Sequence, residues 1–387
     1  MYIRFSSLLT ILLLVICAFS CSVELSVDEN NITSRGVKFN LENEVVHRYL
    51  NEVDYNSIGY DKCFILNYSS IPTEYIKSRP SPVTIQLQNN LASYDLISLF
   101  SEADKDTLNY FVEETDIKNI IVYNLIPSRH YNYSIYKLGN DGNKVLISNG
   151  IFETTGTVRM LYIDGTYNFR DMGGWRVGKN QRIKYGKLIR GAEIDYTERL
   201  NITESGIKEL LDQLSVDVEI DFGDASDSSP LEQYGIDFIS LRRETILGYN
   251  RPPRSIAQDA GRNLYKFFLS ECIDRLVNDH VVYFHCNSGA DRTGTFAFII
   301  GALLGMSESD LRKEYELTSF YDTRVTQNVE GEYCYKTMID YINSHYKGNT
   351  LNEKVYNMCI LPQEEEGIGL TPTAVQMLRD VMIEEIK

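Results

Sequence analysis

Positive charge is scarce in this sequence: 38 Lys and Arg stand against 54 Asp and Glu, a formal net charge of −16 over 387 residues. That deficit argues against general affinity for nucleic acid or anionic membrane surfaces, which select for excess Lys and Arg. Any positive charge facing an anionic ligand must therefore be local. Paired cysteines are missing too. Seven cysteines include no CxxC and no zinc spacing, so neither a metal knuckle nor a disulfide framework is expected. Beyond residue 20 no run reaches the ~18 apolar residues that a membrane helix needs. Hydrophobic and charged fractions of 43% and 24% are those of an ordinary globular chain, and the length suggests two domains.

The first twenty residues carry Arg4 ahead of LLTILLLVICAF, an apolar stretch too short for a comfortable bilayer span. Ala18-Phe19-Ser20-Cys21 resembles a bacterial lipobox, with Phe19 where a small residue is usual. The resemblance implies a signal peptide over 1–20, lipidation of Cys21, and a mature protein tethered in the envelope of a Gram-negative-type bacterium. An ordinary cleaved signal or an uncleaved anchor is the alternative. Cys63, Cys272, Cys286, Cys334 and Cys359 then remain, an odd number that leaves at least one thiol free where disulfides usually form.

After a polar tether over 21–55, residues 56–157 read as short strands. KCFILNYSS, PVTIQLQNN, NIIVYNLIP, YNYSIYKLG and KVLISNGIFETTG alternate or run apolar between Asn, Gly, Pro and Ser turns, as an antiparallel sandwich requires. Leu125, Pro127, Tyr131 and Tyr133, then a Gly-Asn-Asp-Gly turn and Phe152-Glu153-Thr154-Thr155-Gly156, resemble the closing strands of a fibronectin type III domain. That resemblance makes Tyr131 the candidate corner tyrosine; another immunoglobulin-like sandwich is the alternative. The expected role is a spacer or docking surface.

Over 158–387 the pattern changes. VDVEIDFG and VVYFHC have buried-strand character, whereas TESGIKELLDQL, AQDAGRNLYKFFLSECIDRLV, TGTFAFIIGALLGM, SESDLRKEYELTSF and TPTAVQMLRDVMIEEI read as helices. Strands alternating with helices imply an α/β domain around a mostly parallel sheet, with ligands at the strands' carboxyl ends. In the final helix Thr371 is the expected N-cap, Pro372 the first-turn proline, and Ala374, Val375, Leu378 and Val381 the core-facing stripe.

The loop after VVYFHC carries the chemistry. Cys286 and Arg292 fit C-x5-R, a spacing that chance supplies roughly a few tenths of a time per chain. The strand before it and the apolar helix after it make the match specific. Backbone amides of Asn287, Ser288, Gly289 and Ala290 and the helix N-terminus converge there on an anion. Gly289 permits the turn, and Arg292 offers a planar fork to two phosphoryl oxygens. The same cradle favours a Cys286 thiolate. His285 would orient the loop and the Thr293 hydroxyl would donate to the sulfur. The expected reaction is attack of sulfur on phosphorus, a phosphocysteine, then hydrolysis, with no metal and no cofactor.

His285-Cys286-Asn287-Ser288-Gly289-Ala290-Asp291-Arg292-Thr293-Gly294 resembles the signature loop of protein tyrosine phosphatases, and most of all the bacterial subgroup with Asp before the arginine. Asn168-Phe169-Arg170-Asp171-Met172-Gly173-Gly174 matches that subgroup's NFRD-x-GG motif, and GKLIRGAEI, VEIDFGD and GIGLTPTAVQMLRD extend the similarity over about 160–387. The resemblance implies activity on phosphotyrosine and on phosphoinositides. It ranks Asp291 first as general acid, with Asp221 and then Asp224 as alternatives, and makes Arg170 and Asp171 a bracing layer. Two departures stand out: Ala290 replaces a lysine of some relatives, and Asp221-Phe222-Gly223 replaces the usual Asp-Leu-Arg.

The local positive charge is found in LRRETILGYNRPPRSI, where Arg242, Arg243, Arg251 and Arg254 could read extra phosphates or acidic residues beside a phosphotyrosine; a solvated arginine face is the alternative. The expectation is thus an all-β immunoglobulin-like or fibronectin III-like sandwich followed by an α/β cysteine phosphatase. Its partners are a phosphorylated substrate and, through Cys21, a membrane, but not nucleic acid. An inositol-phosphate phosphatase and a silent phosphate-binding module are the alternatives.

Overall fold

A computed structural model describes residues 37–55, 68, 77–91, 95–101, 103–104, 106–111, 117–139, 142–195, 201–223, 228–240, 256–321 and 335–386. The signal segment with Cys21, nearly all of KCFILNYSS including Cys63, Asp224, Cys334, and Arg242, Arg243, Arg251 and Arg254 lie outside these residues. Among the described residues no helix is long and apolar enough to cross a membrane. The chain divides into two compact units, Met1–Phe39 with Pro82–Val122 and Arg129–Thr154, and Asn40–Ser81 with Tyr123–Ser128 and Thr155–Lys387.

The first unit is built from strands among its described residues. β1 (Lys38–Asn40), β3 (Leu96–Ser101), β4 (Asp106–Phe111), β6 (His130–Leu138) and β7 (Lys144–Thr155) form a sheet ordered β1-β7-β6-β3-β4, while β2 (Val83–Leu91) pairs with β5 (Ile117–Val122). The β3–β4, β3–β6, β6–β7 and β2–β5 pairings are antiparallel. The alternation seen in sequence is the alternation of faces: Val83, Ile85 and Leu87 on β2, and Tyr131, Tyr133 and Ile135 on β6, are the buried set. Tyr131 stacks on Phe152 at 5.3 Å between ring centroids.

The second unit holds a five-stranded sheet ordered β12-β11-β13-β10-β8, from β8 (Arg170–Asp171), β10 (Leu188–Ala192), β11 (Val218–Asp221), β12 (Asp237–Ser240) and β13 (Val282–Cys286). All pairs are parallel except β8 with β10. Around it run α1 (Glu44–Glu52), α2 (Glu204–Lys208, continued by a π-turn to Gln213), α3 (Asp259–Val277), α4 (Asp291–Leu304), α5 (Glu308–Glu316), α6 (Tyr335–His345), α7 (Leu351–Ile360) and α8 (Pro372–Met382). After α8 the chain makes β14 (Ile383–Glu385) against β9 (Gln181–Ile183), a strand that the helical reading of 371–386 missed. Thr371 caps α8 by accepting from the Ala374 amide, as expected, and Val375 and Leu378 are buried.

Both sheet faces are covered, and the period of two sorts residues between them. On β13, Val282, Phe284 and Cys286 join the larger core with α3 and α4, whereas Tyr283, with Val281 just before the strand, joins a second core with Leu210 and Leu214. Every residue of α4 from Arg292 to Leu304 is buried, as befits a helix that is apolar all round.

The expected tether over 21–55 is corrected where it is described. Residues 37–55 are folded, and Val45, Val46 and Tyr49 of α1 belong to the larger core. Tyr49 donates to Glu316 Oε2 at 2.9 Å, Tyr55 donates to the same oxygen, and Lys313 reaches the Leu50 carbonyl at 2.7 Å. A nine-residue helix shows barely two turns of pattern, so its apolar face was hidden among polar neighbours. The boundaries at 56 and 158 shift accordingly, since Asn40–Ser81 and Tyr123–Ser128, with Leu125 and Pro127, fall in the second unit.

Candidate active site

β13 lies between β11 and β10 and ends at Cys286, so the chain leaves the middle of the sheet at its carboxyl edge. It turns through Asn287 and Ser288, takes a left-handed conformation at Gly289 (φ 64°), and enters α4 at Asp291. A Cβ at Gly289 would lie 2.2 Å from the Gly191 carbonyl oxygen, so both the backbone angle and the close approach require glycine. Five other helices are capped by the side chains of Asn43, Thr203, Ser307, Thr350 and Thr371, while Gln258 before α3 makes no such bond. Ala290 stands at the equivalent place before α4 and has no oxygen to offer the first-turn amides. A helix start of this kind suits an anion.

Arg292 folds back over the loop. Its Nη1 donates to the Phe222 carbonyl at 2.6 Å and its Nη2 to Asn287 Oδ1 at 2.7 Å, and the residue is 3% exposed. Cys286 is buried at 4%. Asp291 is half-buried at the first position of α4, next to Arg292 in the chain. Two expected details differ. The Gly289 amide donates to the Cys286 carbonyl at 3.2 Å, closing a turn within the loop. The Thr293 hydroxyl is fully buried with no hydrogen-bond partner, so its expected donation to the sulfur is not made.

The loop's outward-facing carbonyls are held from behind. Asn168 Nδ2 donates to the carbonyls of Ser288 at 3.0 Å and Gly289 at 3.2 Å, and Arg190 Nη2 donates to the Gly289 carbonyl at 2.7 Å. Arg170 fixes Asn168 by donating to its Oδ1 at 2.8 Å, and Glu314 of α5 accepts from Arg170 at 2.7 Å and Arg190 at 2.6 Å. Burial pushes the Arg190 guanidinium down to about 10, with Arg170 adding to the effect and Glu314 opposing it. Burial would raise Glu314, but the two guanidiniums outweigh it and hold its carboxyl below the usual range. Arg170 therefore reaches the loop through Asn168. Asp171 does not: it accepts from the amides of Gly173 and Gly186, each at 2.7 Å, and from Arg159 at 3.1 Å, and so fixes turns away from the loop. Gly174 in the same motif is required by its φ of 94° and by the Thr157 carbonyl, 2.1 Å from where a Cβ would sit.

Replacing Asn168 with Ala removes both carbonyl contacts and one of the acceptors of Arg170, which Glu314 still holds. Because about 1 Å of misplacement costs up to roughly 10²-fold in rate, kcat/KM of the Asn168→Ala protein should fall ~10- to 10²-fold while the fold persists. Steady-state kinetics and circular dichroism check this.

Beneath the loop lies a charged cluster set by sheet parity. Glu219 and Asp221 on β11 lie opposite Tyr283 and His285 on β13, and Gly191 on β10 is in register with His285. His285 is fully buried, with Nε2 2.8 Å from Glu219 Oε1 and Nδ1 3.5 Å from Glu193 Oε2 and 3.6 Å from Asp221 Oδ1. Burial disfavours its charge, yet Glu193, Asp221 and Glu219 together raise it to about 10. Asp221, an alternative general acid in the sequence reading, is 1% exposed, accepts from the Gly223 amide and faces this cluster. Glu193, Asp221 and His285 offer atoms within 4.8 Å of one another, the single such group among the described residues. The three carboxylates around the ring favour its protonated form.

Glu193, Glu219, Arg190 and Glu314 were missed as site residues. The first three stand inside GKLIRGAEI and VEIDFGD, where charged residues interrupt strands otherwise buried on both faces, and that interruption was a usable signal. Glu314 carries no motif.

The sequence model of the tyrosine phosphatase family matches residues 161–357, just over half of the chain. No curated protein matches. Among solved structures, the core catalytic domain of the PP-IP phosphatase SIW14 from S. cerevisiae, in complex with citrate, is similar at 16% identity and a TM-score of 0.25. The match covers 37% of this chain and 76% of that one. At that score it supports no further comparison.

Proposed function

The chain belongs to the tyrosine phosphatase family, and we propose that it hydrolyses phosphomonoesters, phosphotyrosine foremost, through a covalent phosphocysteine on Cys286. The observation that carries this reading is the end of β13: Cys286, the left-handed Gly289 turn and the start of the buried α4 follow within six residues, with Arg292 folded back onto the same loop. In the first step Cys286 sulfur attacks phosphorus, the bond from phosphorus to the leaving oxygen breaks, and the Asp291 carboxyl gives that oxygen its proton. In the second, water attacks phosphorus, the phosphorus–sulfur bond breaks, and Asp291 takes up the water proton. Arg292 presents its planar donors to the phosphoryl oxygens, its plane set by Asn287 and the Phe222 carbonyl. The burial of Asp221 against His285 supports Asp291 over Asp221 as the acid. The antiparallel pairings of the first unit support reading it as a fibronectin III-like spacer with no part in the chemistry; the lipobox-like Ala18-Phe19-Ser20-Cys21 supports anchoring in the envelope through Cys21.

The test is turnover of p-nitrophenyl phosphate and of phosphotyrosine peptides in excess chelator, with an acid quench to capture the intermediate. Phosphate should be recovered covalently on the peptide that contains Cys286. Absence of wild-type turnover with the thiol reduced would reduce the protein to a phosphate-binding module. Faster hydrolysis of inositol phosphates than of phosphopeptides would replace the phosphotyrosine assignment.

A further inference from the structure

His285 places its Nε2 on Glu219, but the other side of the ring is unfinished. His285 Nδ1, Glu193 Oε2 and Asp221 Oδ2 are each buried without a hydrogen-bond partner, and each belongs to a residue no more than 2% exposed. Glu193 is also tied to the nucleophile through its backbone, its amide donating to the carbonyls of Cys286 at 3.0 Å and Asn287 at 3.2 Å. Its side chain therefore lies directly behind the strand end that carries Cys286. Resting on the phosphatase reading, we infer that Glu193 is a positioning residue whose protonation, acting through His285, sets the charge behind Cys286 and hence the reactivity of the thiolate.

The charge count explains why one proton matters. Glu193, Glu219 and Asp221 face a single imidazolium, so three ionised carboxylates would leave a net charge of −2 in a site without water access. That excess opposes both a thiolate on the adjacent residue and the approach of a phosphate dianion. Holding a proton on Glu193 halves it. Of the groups around Glu193, His285 and Tyr283 come from β13, Glu219 and Asp221 from β11, and Asp195 from its own loop. Burial is the largest influence and raises the Glu193 carboxyl. His285 opposes it, Asp221, Glu219 and Asp195 add to it, and the outcome is about 7. The sign follows. Below that pH Glu193 is neutral and the imidazolium favours the thiolate. Above it, the added negative charge behind Cys286 works against a second negative charge on the sulfur.

The experiment is the rate of Cys286 alkylation by iodoacetamide from pH 5.5 to 8.5 in the full chain, wild type against Glu193→Gln. Cys286→Ser gives the background from all the other cysteines, among which Cys272 and Cys359 are buried. The variant-to-wild-type ratio should be near one at the acid end and climb through neutrality to about three- to tenfold at pH 8, the tenfold limit being one pH unit of interaction. A purely structural role for Glu193 would change the ratio by the same factor at every pH, and a flat ratio overturns the inference. Should the Gln variant fail to fold, Asp221→Asn decides the matter. Removing that charge eases ionisation of Glu193, so the inflection in the alkylation profile should move to lower pH; an unmoved inflection overturns the inference equally. Turnover of p-nitrophenyl phosphate is measured on the same samples. An inactive wild type with a pH-dependent ratio defeats the phosphatase reading and leaves the Glu193 assignment standing.

Discussion

Cys286→Ser should reduce turnover of p-nitrophenyl phosphate by at least roughly 10⁴-fold, on the scale seen when a catalytic nucleophile is removed. The substitution exchanges sulfur for a smaller oxygen and leaves the rest of the side chain unchanged at a buried position, so the melting temperature should change little. The loop geometry does not depend on the sulfur. Gly289 turns because of its own backbone angle, Asn168 and Arg190 hold the loop carbonyls, and Arg292 is fixed by Asn287 and the Phe222 carbonyl. The variant should therefore bind inorganic phosphate at least as tightly as the wild type, since the thiolate no longer repels the dianion. Calorimetry against phosphate, paired with the activity assay, separates the two effects. A serine variant that retained more than about a hundredth of wild-type turnover would exclude Cys286 as the nucleophile, because hydroxyl is far harder to ionise than thiol.

The loop between β13 and α4 was legible because its requirements are local. A strand end, a glycine, an arginine at fixed spacing and a helix start lie within ten consecutive residues, and each leaves a mark on the sequence. The parallel sheet was legible for a related reason: strands buried on both faces read as continuous apolar runs, and VVYFHC is one. What supports the loop was harder to see because it is assembled across the fold. Arg190, Glu193, Glu219 and Glu314 are 66 to 144 positions from the partners they meet among His285, Arg170 and one another, and only strand register and the packing of α5 bring them together. Glu193 and His285 share a face because β10 and β13 pair in parallel and their side chains alternate. A motif at one position cannot encode a neighbour supplied by register. The clamp of Tyr49 and Tyr55 on Glu316 was hidden in the same way, with more than 260 residues between partners. Asp171 failed for a different reason. An Arg-Asp pair in a motif invites one role for both, yet on a strand successive side chains point to opposite faces. Arg170 turns toward the loop and Asp171 toward Gly173 and Gly186.

Glu314→Ala should be the most destabilising single substitution near the site, costing about 3–5 kcal/mol by the measure of a buried ion pair that loses one partner. The Arg170 and Arg190 side chains are wholly buried, and Glu314 is the carboxylate between them, with one oxygen on each. Truncation leaves two guanidiniums facing each other without countercharge, and Arg190 already suffers from the presence of Arg170. Glu314→Gln, which keeps one acceptor oxygen and the packing, should lose less than the alanine variant. Activity should fall with stability, because Arg190 no longer fixes the Gly289 carbonyl and Arg170 no longer fixes Asn168. The pH dependence has a definite sign. The two arginines hold the Glu314 carboxyl below its ordinary 4.5, so its contribution is fully present above that pH and is lost as pH falls through the lower folded value. Urea denaturation should therefore show the gap between wild type and Glu314→Gln constant from pH 6 to 8 and narrowing below pH 4.5. An alanine variant within about 1 kcal/mol of wild type at neutral pH would mean that the two guanidiniums find other partners, and that α5 does not hold the catalytic loop.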